Sequence, residues 1–175
     1  MNAFLPGVPG PGEYCEFFAD YVAKARPCSD PVRKLEEQLA EFWELVGPLE
    51  EKAQLHRYAP GKWSVKEMVG HIIDAERIFA YRALRIGRGD ETPLPGFDEN
   101  TYVPASEVER CDWRLLLEEF THVRTASGLM LGRMPEVAWT RTGTASGAAI
   151  SMRAMVYVMI GHVAHHMGIL RERYL

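Results

Sequence analysis

Three of the chain's six histidines stand within ten residues, GHVAHHMGIL (161–170). On a helical wheel His162 and His166 lie about 40° apart, in the middle of an apolar stripe with Met155, Val158, Met159 and Ile169. His165 falls at the edge of that stripe, beside Gly161 and Glu172. A second run, VKEMVGHIIDAERIFAYRALRI (65–86), repeats the anomaly. There His71 shares a face with Met68, Ile72, Ala75, Ile78, Phe79, Arg82 and Ile86. A single histidine on an apolar face is usually a hydrogen-bonded core residue, because a buried imidazole needs a partner. Three on converging faces would need three separate partners, and the faces around them are mostly Met, Ile and Val. Side chains at i and i+4 stand about 5–6 Å apart at Cβ, so one ion can take both. His71 from a facing helix would complete a three-nitrogen set that a single divalent cation satisfies at once.

Neutral imidazole suits zinc, nickel, copper and iron, so ligand type does not fix the metal. Three protein ligands leave an open position, the pattern of catalytic sites, where a bound water or thiol is acidified. No protein nucleophile is expected, since Cys15, Cys28 and Cys111 lie near no histidine motif in sequence. Asp74, one turn after His71, is a candidate to orient an imidazole, although a solvated helix flank is its commoner role.

These faces require long helices. Asp30-Pro31 gives an N-cap and a first-turn proline before VRKLEEQLAEFWELV, and Pro48 ends or kinks that helix. Ser64 and Glu67 have the spacing of a capping box, starting a helix that runs to about Ile86. A third helix is expected over 107–133, and Ser151 caps the last. Between the second and third, GRGDETPLPGFDENTYVPAS reads as a loop without structure of its own, a kind that is usually functional or disordered. It could border the site mouth, with Asp98 and Asn100 available to substrate; Arg82, on the His71 face, could reach an anionic one. AWTRTGTASGAAIS suits a short two-stranded hairpin. The expectation is an all-α four-helix bundle in one domain over 1–175, with a Pro/Gly-rich extension (1–29) packed on it.

Composition narrows the function. With 20 basic and 24 acidic residues the net charge is −4, and no Lys/Arg cluster stands out, so no nucleic-acid partner is expected. The most apolar run is broken by three histidines and two glycines, a poor membrane span. Three widely spaced cysteines without CxxC fit reduced thiols and a cytoplasmic location. His122 follows Glu118 and Glu119 on a solvated face, and His56 carries no signal.

The segments APGKWSVKEMVGHIIDAERIF, GDETPLPGFDENTYV and ISMRAMVYVMIGHVAHHMGILRERYL together resemble the DinB-like (DinB/YfiT) superfamily. The resemblance runs from about Glu13 to the last residues, and its specificity lies in the lone histidine after W-S-x-K-E combined with the later HxxHH. It implies a four-helix bundle, often dimeric, holding a divalent ion on three histidines that match His71, His162 and His166 here. Zinc or nickel would come first, iron or manganese next. Met167-Gly168-Ile169 departs from the Arg-Gly-Gln of many members, so a substrate role there does not carry over. The resemblance further implies a transferase using a low-molecular-weight thiol of the bacillithiol or mycothiol type on small electrophiles. Its alternatives are a metal-dependent hydrolase, or a non-enzymatic metal- or ligand-binding stress protein.

Overall fold

The computed structural model describes residues 5–175, so the first four positions of the expected extension lie outside it. From Glu16–Phe18 a 3-10 turn leads into α1 (Ala19–Ala25), which packs along the last helix. Pro31–Val46 forms α2, with the Asp30 carboxylate accepting from Arg33 N at 3.1 Å and Pro31 in the first turn. It stops before Pro48, and only a single turn, α3 (Glu51–Gln54), follows.

Val65–Gly87 forms α4, whose capping box closes in both directions: Glu67 N donates to Ser64 Oγ at 3.2 Å and Ser64 N to Glu67 Oε2 at 2.8 Å. The stretch expected to be a structureless loop holds a two-turn helix, α5 (Glu99–Ser106), despite Pro104 inside it. The third long helix, α6 (Trp113–Gly132), starts later than 107, because Glu107 turns left-handed (φ 48°) and Asp112 supplies the cap. Then β1 (Thr142–Ala145) and β2 (Ala148–Ser151) pair antiparallel across Ser146-Gly147, both at positive φ (52° and 78°). Leu94 bridges to Ala145, and this fastens the segment before α5 to the hairpin. Ser151 caps α7 (Met152–Ile169), which ends in a wider π turn over Leu170–Tyr174.

Helices α2, α6, α4 and α7 pack in that cyclic order as a four-helix bundle. Their core falls into two apolar clusters, one with Leu35, Phe79, Leu131 and Ile160, the other with Phe42, Ile72, Phe120 and Val163. Where the clusters meet, a buried polar layer crosses the bundle. Arg124 Nη1 on α6 donates to Glu76 Oε2 on α4 at 2.6 Å, and Nη2 bonds Gln38 on α2. Gln38 Nε2 in turn donates to Ile160 O on α7 at 2.9 Å, so each of the four bundle helices takes part. No described helix is long and apolar enough to cross a membrane.

Candidate metal centre

The α7 helix can carry histidines into the bundle because it is buried along most of its length, with His162 and His166 only 4% and 7% exposed. Close packing of α1 helps to seal it. A Cβ on Gly161 would stand 1.9 Å from the Tyr21 carbonyl oxygen, so only glycine allows that approach. The same approach lays the Tyr21 ring edge-on against His162, with centroids 5.5 Å apart. On the facing helix the capping box of α4 fixes where His71 emerges, seven residues after Ser64. Trp63, just before the cap, covers the His71 ring at 4.9 Å, and its carbonyl accepts from Tyr174 Oη at 2.7 Å. Lys66 Nζ ties the same turn to Glu109 O and Cys111 O at 3.1 and 2.7 Å.

The three imidazoles meet. His162 Nε2 stands 3.0 Å from His71 Nε2 and 3.1 Å from His166 Nε2. One ligand atom from each lies within 4.8 Å of the others. An imidazole nitrogen has one in-plane site, either a proton or a lone pair, so His162 Nε2 cannot make two good hydrogen bonds at once. His166 Nδ1 is sealed from solvent and has no partner among the described residues. Burial pushes the pKa of His71 down to about 4 and those of His162 and His166 well below the usual histidine range. Three neutral nitrogens aimed at one point, poorly served by each other, fit a divalent cation: this is a donor set that could hold a metal ion.

His165 stays out of the cluster. Half-buried, it packs edge-on against Tyr21 and His166. Asp74, the candidate orienting carboxylate, makes no hydrogen bond to a histidine among the described residues; it is half-buried, and its charged neighbours are Arg77 and Glu119. Two other charges act on the centre: Glu99 opposes the larger effect of burial at His71, and Arg124 adds a small push to the burial that keeps His162 neutral.

Two recesses open on the centre. The first, of about 320 Å³, has His71 and His162 on its wall with Phe18, Tyr21, Phe79 and Phe97. Arg82 lines it, as do Glu99 and Cys15, which periodicity could not single out because long-range packing brings them there. Cys15 lies far from every histidine in sequence, yet it lines the same cavity as two of them. The second recess, of about 250 Å³, reaches His166 between Tyr58, Trp63 and Tyr174, with Asn100 at its rim. Asp98 lines neither; its carboxylate is exposed and accepts from Asn100 N at 2.9 Å to cap α5.

A search of curated proteins finds no match. Among solved structures, the chain is similar to YfiT from Bacillus subtilis at a TM-score of 0.74 and 19% identity, over 81% of this chain and 82% of that one. That protein is described as "a probable metal-dependent hydrolase with an unusual four-helix bundle topology". The likeness is one of fold. In sequence, residues 34–170 match the family described as the DinB superfamily, a span holding the bundle helices from the first turn of α2 onward and all three converging histidines. On that match the chain belongs to the DinB superfamily.

Proposed function

We propose that the chain is a divalent-metal-dependent enzyme that transfers a group between a small electrophile and a low-molecular-weight thiol. The observation that carries this reading is the convergence of three buried, neutral imidazole nitrogens at a point reached from two recesses. His71, His162 and His166 would hold the ion. When bound there on three protein ligands, a divalent cation supplies Lewis acidity and lowers the pKa of a water or thiol at its open side.

The protein's own part is positioning. Tyr21, Phe79 and Trp63 meet the imidazole rings and fix their orientation. The aromatic wall of the larger recess excludes water and holds an apolar substrate body against His71 and His162. The smaller recess, lined by Tyr58, Trp63 and Tyr174, gives a second reactant its own approach past His166. Two approaches suit a reaction of two substrates, which is why the transferase reading comes first.

A hydrolase is the second reading, favoured by the description of the YfiT structure, whose fold this chain shares. A panel of electrophiles, run on metal-loaded protein with and without bacillithiol, mycothiol or glutathione, separates the two. Consumption that requires a thiol supports the transferase. Thiol-independent turnover of esters or amides supports the hydrolase, and turnover unchanged by metal removal contradicts both.

A further inference from the structure

Arg82 is 1% exposed, yet no carboxylate pairs with it among the described residues. Its Nη2 donates to Pro95 O at 2.7 Å and to Ser146 Oγ at 2.9 Å, holding the loop and the hairpin turn together. Its Nε is sealed from solvent without a partner among the described residues, whereas Nη1 makes no hydrogen bond to them and is not sealed. The guanidinium carbon lies 6.0 Å from the Phe79 ring centre and 5.8 Å from that of Phe97, and both rings line the larger recess. Burial pulls the pKa of Arg82 down with no compensating charge, although arginine stays protonated throughout the working range. Glu99 lines the same recess, but its charge acts on His71 and Tyr21 and makes no ion pair with Arg82. A buried guanidinium whose Nη1 is unsealed and unpaired among the described residues, beside an aromatic cavity, is a charge awaiting an anion.

We infer that Arg82 is the anion-recognition residue of the larger recess, which takes a small molecule bearing a carboxylate on an apolar or aromatic body. The assignment of this molecule as the substrate rests on the function proposed above; the binding site does not. Arg82 and His71 stand on one helix about three turns apart, so the carboxylate is a handle remote from the reacting end. A volume of about 320 Å³ limits that body to roughly one ring or a short chain.

The test uses benzoate and its neutral isostere benzamide on the full chain, as purified and again after chelation. Affinity is measured by calorimetry, and protection of Cys15 from iodoacetamide is read peptide by peptide, because Cys15 lines this recess. Benzoate is expected to bind at least about tenfold tighter than benzamide in both preparations and to protect Cys15. Arg82→Gln should abolish the preference. Since Arg82 also braces the hairpin, the parent comparison stands alone if that variant does not fold. Equal binding of the two probes, a preference that survives Arg82→Gln, or a preference lost on chelation would each overturn the inference. Absence of metal alongside an intact, Arg82-dependent preference would sink the enzyme reading and leave the anion site standing.

Discussion

His162 Nε2 lies 3.0 Å from His71 Nε2, although 91 positions of chain separate the two residues. Neither histidine makes a site alone. Their meeting, together with His166 one turn away, turns two apolar helix faces into a donor set.

Binding to this donor set should appear as stability. Zinc or nickel added at about 100 times its dissociation constant is expected to raise stability by about 2.7 kcal/mol, read as a higher Tm in a thermal melt. The same ion should leave the Tm of His166→Ala unchanged, whereas His165→Ala should respond as the parent does. A similar rise in His166→Ala would place the ion elsewhere.

The close approach of α1 to α7 makes Gly161 sensitive. A methyl group there would meet the Tyr21 carbonyl at 1.9 Å, against backbone rather than a yielding side chain. Gly161→Ala is expected to cost about 1–3 kcal/mol in urea unfolding and to loosen Tyr21 from His162. A variant as stable as the parent would contradict the packing described.

The polar layer predicts non-additivity. Glu76→Ala leaves the Arg124 guanidinium buried at 1% exposure without its carboxylate, at an expected cost of about 3–5 kcal/mol. Replacing both, Glu76→Leu with Arg124→Met, should be less damaging than the single change. Additive losses in a double-mutant cycle would show that the pair is not coupled.

Glu13 gives a pH dependence. Hydrogen bonds from Arg153 lead the causes that hold its pKa at about 2, against an ordinary value of 4.5. The folded state therefore binds its proton less readily than the unfolded chain does. Its contribution is present above pH 4.5 and is lost as pH falls toward 2. After allowance for solvent screening, Glu13→Gln should remove on the order of 1–2 kcal/mol at pH 7 and less as the pH drops below about 4. A stability difference that stays flat from pH 7 to pH 2 would count against this pair.

Much of the site was legible because helical periodicity reports which way a residue faces. His71, His162 and Arg82 each broke an apolar stripe, and each is buried at the bundle interior. The same signal was present at Gln38, between Leu35 and Phe42, and at Arg124, between Phe120 and Leu131, but a lone polar residue on a stripe does not reveal its partner. Asp74 stands one turn from His71, yet that spacing left it among Arg77 and Glu119 instead. Pro104 and a polar composition hid α5, and with it the capping position of Asp98. The approach of Tyr21 to Gly161, and the presence of Glu99 and Cys15 in the larger recess, depend on long-range packing and leave no periodic trace.

The central claim is that three histidines hold one divalent ion. Elemental analysis of protein purified without a histidine tag tests it most directly, on the parent chain beside His71→Ala and His162→Ala. About one zinc- or nickel-class ion is expected per folded parent chain, and essentially none in either variant. A folded parent without stoichiometric metal, or variants that keep it, would contradict the account.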